Sequence, residues 1–345
     1  LLFEIIEHII ISNIHEDARM SKKRIAETFG VTQLYRMFPT EESCWQWLEA
    51  VRWNGQPVCP HCGEVEKIGN PPKSKAHHYW CRSCRKHFTA TTGTVMHSRR
   101  RPLQDWLYTI YSVLTARKGV SAMQLSKELD CHYRTAWYML HRVREACVDE
   151  DFKLRTVVEV DETYIGGKRR NMSNAKRKAL AGTGRGAVGK AAVFGIRERG
   201  GNVKAMPVES TDKQTLQGAI AEHVEAGSTV YTDDHGAYEG LGDVLYTHGS
   251  VKHSLQEYVN GMCHTNGIES VWAVLKRSIN GTWHHVSPKH LARYVNEAAF
   301  RLSEGNCEVD TIDRMAALVR RIADRRISLE ELTADNGLSN EVVSM

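Results

Sequence analysis

Apolar residues return every three or four positions in DWLYTIYSVLTARKG, so the stretch from Asp105 to Gly119 is expected to be a helix with one buried face. The next stretch, GVSAMQLSKELDCHYRTAWYMLHRVREAC, keeps that period but breaks it once. Ser121 is placed to cap a short helix ending near Leu129, and a turn runs from Asp130 to Tyr133. A second helix then sets Trp137, Leu140 and Val143 on one face. Two helices so closely linked have the pattern of a helix-turn-helix, with Arg134, Thr135, Tyr138, His141 and Arg142 on the side offered to DNA.

From residue 156 the period shortens to that of strands. TVVEVDETYIGG is one β-rich run, and AAVFGIRERGGNVKAMPVES reads as two more turning at Gly200 and Gly201. A helix follows in TDKQTLQGAIAEHVEAG, then a strand in STVYTDD, a short helix around AYEGL and a strand near LYTHGSV. A last long helix starts near His264 and runs through SVWAVLKR. This order is that of an RNase H-like α/β core with a mixed sheet, which binds metal at the ends of adjacent strands. TIDRMAALVRRIADRR adds an amphipathic helix, expected to serve self-association, before a frayed end.

At 345 residues, 41% hydrophobic and 25% charged, the chain suits a multidomain α+β protein rather than one core. The expected parts are an upstream extension over 1–19, a helical segment 20–54, a zinc ribbon 55–95 and a helix-turn-helix 100–150. An RNase H-like domain 156–302 and a helical tail 303–345 complete it. Glu4, Glu7 and His8 interrupt the apolar start LLFEIIEHIIIS, so no membrane segment is expected. The first 19 residues, which precede Met20, are given no function.

The net charge of +5 is unevenly spread. From Lys73 to Arg155 there are 16 Lys/Arg against 7 Asp/Glu, and from Lys168 to Lys190 eight against none. Both stretches are expected to face a polyanion, and in the second the contacts would come from Lys168, Arg169, Arg170, Lys176, Arg177 and Lys178.

Cys59 and Cys62, then Cys81 and Cys84, form two CxxC knuckles separated by 18 residues and followed by Phe88. That is the ligand layout of a zinc ribbon, and four thiolates fill a tetrahedral Zn²⁺, so the ion is structural. Cys44, Cys131, Cys147, Cys263 and Cys307 are scattered and odd in number, which suits reduced thiols in a cytoplasm.

Asp161 lies midway along a hydrophobic strand, where an unpaired carboxylate is costly and calls for a cation or a donor. Asp233 closes the strand VYTDD, and Glu269 lies on the late helix. Hard oxygen ligands of this kind suit two Mg²⁺ or Mn²⁺ ions and metal-assisted phosphoryl transfer. Lys276, two helical turns beyond Glu269, shares its face and can reach a phosphate, while Asn266, one turn before, can supply a neutral ligand or a DNA contact. The alternative is that Asp161 or its neighbour Glu162 pairs with Lys or Arg.

With FPTEESCWQWLEAVRW, CPHCG, VEVDETYIGGK, VYTDD, HTNGIESVWAVLKR and GTWHHVSPKHLARYVNEAAFR in this order, the chain resembles bacterial insertion-sequence transposases of the DDE class. The resemblance is to the branch with an N-terminal zinc ribbon and an ISXO-type catalytic domain, and covers Met20 to Leu302. It implies an RNase H-like fold, divalent-metal catalysis, hydrolysis at the ends of an element and strand transfer into target DNA. Asp161 and Asp233 match the two aspartates and Lys276 the trailing lysine. The third position falls to Glu269 or Asn266, with Glu269 favoured because a carboxylate offsets metal charge. Double-stranded DNA, at least a dimer of the chain and a bacterial cytoplasm near the nucleoid are the expected partners and place. A regulator with an inactive core and a structure-specific nuclease are the rival readings.

Overall fold

The computed structural model describes residues 29–70, 75–148, 152–167, 174, 178, 189–242, 245–251, 262–303 and 309–335. The proposed upstream extension, and Lys168, Arg169, Arg170, Lys176 and Arg177 of the basic segment, lie outside the described residues, whereas Lys178 is described and exposed.

The N-terminal half opens with α1 (Val31–Met37) and α2 (Glu41–Trp53). Thr40 starts α2 by accepting from the Ser43 amide at 3.2 Å, satisfying one of the orphan donors of the first turn. Three short antiparallel strands follow, β1 (Ile68–Gly69), β2 (Tyr79–Cys81) and β3 (Lys86–Phe88). Trp53 at the end of α2 meets Tyr79 and Phe88 edge-on, with ring centres 5.4 and 5.9 Å apart. Helix α2 is therefore packed onto the ribbon.

Next come α3 (Leu103–Thr115), α4 (Ala122–Glu128) and α5 (Tyr133–Ala146). Ser121 caps α4, accepting from Gln124 N at 3.1 Å. Leu107, Ile110, Leu125, Leu140 and Val143 bury their side chains in one core with Leu48 and Phe88. Later in the chain, α9 (Thr311–Arg320) returns to this core, burying Met315, Leu318 and Val319. Arg314 donates to Leu114 O at 3.0 Å. The expectation that this helix serves self-association is thereby corrected: its apolar face is used within the chain.

The second half is built on a five-stranded mixed sheet in the order β6-β5-β4-β7-β8. Its strands are β4 (Val157–Ile165), β5 (Ala191–Glu198), β6 (Val203–Val208), β7 (Thr229–Thr232) and β8 (Thr247–Ser250). The first three pair antiparallel, and β7 runs parallel to both β4 and β8. Alternation sorts the side chains between two faces. Val158, Val160, Phe194 and Ile196 pack under α6 (Lys213–His223) through Leu216 and Ile220. Val193 and Ala205 pack under α7 (Asn266–Ser278) and α8 (Pro288–Ser303) through Ile268, Trp272, Leu275 and Val295. The short helix expected around AYEGL is a 3-10 turn at Gly236–Tyr238.

Two polar devices hold these parts. Glu159, buried on β4, accepts from Ile268 N at 3.0 Å and from Arg199 Nε at 2.8 Å, which pins the start of α7 to the sheet. Arg144 of α5 donates to Glu297 of α8 at 2.6 Å, and Arg301 donates to the other carboxylate oxygen at 2.5 Å. Among the described residues no helix is long and apolar enough to cross a membrane.

Candidate active site

The four knuckle cysteines converge. Cys59 and Cys84 sulfurs lie 3.7 Å apart and those of Cys62 and Cys81 3.6 Å apart, with all four ligand atoms within 4.8 Å of one another. Sulfurs bound to one tetrahedral Zn²⁺ at ~2.3 Å sit ~3.8 Å apart, so the set fits the ion. The two knuckles fold alike: Gly63 N donates to Cys59 O and Arg85 N to Cys81 O, each at 2.9 Å. Gly63 and Arg85 take the left-handed conformation that such tight turns require, at φ 73° and 56°. Glu64 ties one knuckle to the other by accepting from Ser83 Oγ at 2.5 Å. The Ser83 hydroxyl first, then the amides of Glu66 and Lys67, hold the Glu64 carboxyl down at about 2.

The acidic site is a consequence of register. In the parallel pair, Glu159 of β4 is opposite Tyr231 of β7, so two residues on Asp161 comes beside Asp233. On its other side Asp161 is opposite Gly195 of β5. Asp161, Glu162 and Asp233 each bring a carboxylate oxygen within 4.8 Å of the others. The site lies where β7 ends at Thr232 beside β4, which runs on to Ile165, and the carboxyl end of a parallel strand is the usual place for a ligand in sheets of this kind.

None of the three is neutralised by Lys or Arg among the described residues. Asp161 Oδ2 accepts from the indole Nε1 of Trp272 at 3.0 Å, and Asp233 Oδ1 from the His235 amide at 3.1 Å. Glu162 Oε1 is buried without a hydrogen-bond partner, 3.9 Å from His235 Nδ1. The Tyr238 hydroxyl is buried beside it and faces the Glu162 carboxylate, close enough to favour its ionised form but short of good hydrogen-bond geometry. Burial, and then the Asp233 charge, push the Asp161 carboxyl up to about 7. Glu162 also rises to about 7, chiefly through burial, with Tyr238 opposing and Asp233 adding. Three crowded carboxylates with an orphaned oxygen fit a divalent cation, whose charge would favour their ionised forms.

Glu269 does not join this cluster. It is exposed in the first turn of α7 and its Oε1 accepts from Thr265 Oγ1 at 3.3 Å. Ile268 and Trp272, four residues apart, are the pair that faces the sheet, which turns Glu269 about 100° away around the helix. Asn266 is also exposed, and Lys276 is half-buried two turns beyond Glu269. Of the expected Asp161, Asp233 and Glu269, the structure groups the two aspartates, and the carboxylate it sets with them is that of Glu162. Strand alternation sends neighbours to opposite faces, so Glu162 was legible as a partner of Asp161 only once the strand end was seen.

The face expected to meet DNA is also smaller than its spacing suggested. His141 is 0% exposed, and Arg142, at 4%, donates to His97 O at 2.5 Å with its guanidinium over Trp106 and Tyr138. Tyr138 donates its hydroxyl to Ile327 O at 2.9 Å. Those three are structural, which leaves Arg134 exposed and Thr135 half-buried at the start of α5, beside exposed Tyr133.

Residues 153–303 match the family model of the ISXO2-like transposase domain, and residues 39–87 that of the transposase zinc-ribbon domain. The second match starts ahead of α2, in keeping with the packing of that helix on the ribbon. A protein of Halobacterium salinarum described as an uncharacterized protein in transposable element ISH50 is 29% identical over 249 residues, covering 70% of this chain and 84% of the relative. A chain of the cryoEM structure of the simian T-cell lymphotropic virus intasome in complex with PP2A regulatory subunit B56 gamma aligns with 55% of this chain at 14% identity and a TM-score of 0.25. The alignment spans 65% of that chain, less than two thirds of its length, and so slight a likeness carries nothing about fold.

Proposed function

We infer, for a chain that belongs to the ISXO2-like transposase family through both its transposase domain and its zinc-ribbon domain, that it is a DDE-type DNA transposase cutting and joining the ends of an insertion sequence. The observation that carries the reading is the cluster of Asp161, Glu162 and Asp233 where β7 ends beside β4, with no Lys or Arg among the described residues to neutralise it. The strand order β6-β5-β4-β7-β8, with helices on both faces, supports reading the sheet domain as an RNase H-like core.

Asp161, Asp233 and Glu162 hold the divalent ions, Mg²⁺ or Mn²⁺. Two such ions supply Lewis-acid stabilisation of the transferring phosphate and an activated water or 3′-hydroxyl. The chain's own part is geometric. Register sets the two aspartates side by side, and the orphaned Glu162 oxygen adds a third hard ligand. On α7, exposed Asn266 and Glu269 and half-buried Lys276 meet DNA near the scissile phosphate. Helices α4 and α5 act as a helix-turn-helix that offers Tyr133, Arg134 and Thr135 to the terminal inverted repeats. The zinc ribbon and the basic segment containing Lys178 grip the phosphate backbone. Joining two ends requires at least two copies of the chain.

The test is purified protein with a labelled linear end fragment, a plasmid target and Mg²⁺ or Mn²⁺. Joined product is expected, and Asp161→Asn should lower cleavage about a hundredfold or more, since each ~1.4 kcal/mol of lost stabilisation is a factor of ten. Cutting without joining would make the chain a nuclease, and binding without cutting would make it a regulator.

A further inference from the structure

Asp161 is the most constrained of the three acids, and what constrains it is a neutral ring. Trp272 is 4% exposed on α7, lies across β5, and gives its indole N–H to Asp161 Oδ2 at 3.0 Å. It can do so only because Gly195, directly opposite Asp161 in the sheet, has no side chain. A β-carbon on Gly195 would come within 2.5 Å of the indole Cζ2, closer still to Cη2, and 3.1 Å from Ile268 Cδ1. Acid, gap and ring therefore form one unit spanning two strands and a helix.

An indole differs from the partners a buried carboxylate usually takes. Lysine or arginine would neutralise Asp161 and remove its need for a cation, whereas indole N–H carries no charge, has no acceptor and keeps its proton. One such bond occupies one lone pair of Oδ2, leaving Oδ1 and the other Oδ2 lone pair for metal. It also stops the carboxylate from rotating. Groups that orient a metal ligand without touching the metal commonly change affinity or activity 10–100-fold when removed.

We propose that Trp272 is a positioning residue for the catalytic metal site, fixing the orientation of the Asp161 carboxylate, and that Gly195 is the gap that admits it. The proposal rests on the metal reading of the acidic cluster. It also makes the docking of α7 on the sheet and the geometry of the site one variable, because the same ring supplies both contacts.

The test uses the full zinc-loaded chain and Mn²⁺, with binding followed by the electron paramagnetic resonance of free Mn²⁺ and folding by circular dichroism. Trp272→Phe keeps an aromatic ring, smaller than the indole, and removes the N–H; Gly195→Ala keeps the N–H and displaces the ring. Both are expected to fold, to bind the end fragment without metal as the native chain does, and to bind Mn²⁺ about 10–100-fold more weakly with a matching loss of cleavage. If folded Trp272→Phe binds Mn²⁺ as tightly as the native chain while Asp161→Asn does not bind it, the ring only packs and the proposal is overturned. If Asp161→Asn also binds Mn²⁺ like the native chain, the metal reading itself falls. Should Gly195→Ala fail to fold, the Trp272→Phe measurement decides alone.

Discussion

Glu162 and Glu269 show how little residue type says about placement. Both are glutamates near an expected metal site, yet one has a buried, unpartnered oxygen beside two aspartates and the other is exposed and bonded to Thr265. The consequence is an ordering of effects. Glu162→Gln should weaken Mn²⁺ binding about tenfold or more, by loss of a charged ligand, and Glu269→Gln should change it less, both read by calorimetry on the metal-free acidic site. The reverse order would mean that α7 carries Glu269 into the cluster when metal arrives. Asp161 and Asp233 were legible as candidates because a carboxylate in an apolar strand, or closing one, demands an explanation. Glu162 was not, since adjacency on a strand argues for opposite faces.

At the scale of elements, the ribbon is latched to α2 by a histidine. His77, at φ 62° in the loop before β2, lies 2.9 Å from Glu42 and 3.0 Å from Glu49 and stacks on Trp45 at 5.4 Å. Burial pulls its pKa down, but Glu42 and Glu49 together more than offset this, so the net shift is upward. A histidine raised in the folded state stabilises fully below its unfolded value of about 6.5 and loses that contribution as pH rises through the folded value. His77→Gln should therefore lower the melting temperature most near pH 6, with the gap to the native chain closing in alkaline buffer. A gap independent of pH would show that the latch is stacking alone. The CxxC spacing made the ribbon legible, because sulfurs must come in pairs from tight turns. The latch was not, because its members lie 35 and 28 residues apart in sequence.

Across the whole molecule, the N-terminal helices and the sheet domain are joined by a buried charge cluster. Arg144, Glu297 and Arg301 are all nearly inaccessible, with the carboxylate between two guanidiniums. Glu297→Ala would leave two buried cations unpaired, at a cost of about 3–5 kcal/mol in denaturant unfolding. Little change would mean that the two parts unfold independently of this contact. Such a join fixes the α4–α5 pair relative to the acidic site, as the proposed function requires of an enzyme that reads one stretch of DNA and cuts another. The buried Arg142 and His141 contribute to the same packing, so helix periodicity misplaced them: they face the helices and the returning chain, not solvent.

Local pattern alone determined the order of strands β4 to β8 and the helices among them, the cap at Ser121, the cysteine quartet and the two aspartates as candidates, because each follows from short-range geometry or from the cost of burying charge; it missed α8, which follows the helix read as the last long one. Tertiary structure decided which carboxylate lies with the two aspartates, which basic side chains are used up in packing, and that α9 folds back onto α2 and α3. Those outcomes depend on how far one strand extends past its neighbour and on which helix face finds a partner. Contacts between distant segments settle both, and no period along the chain records them.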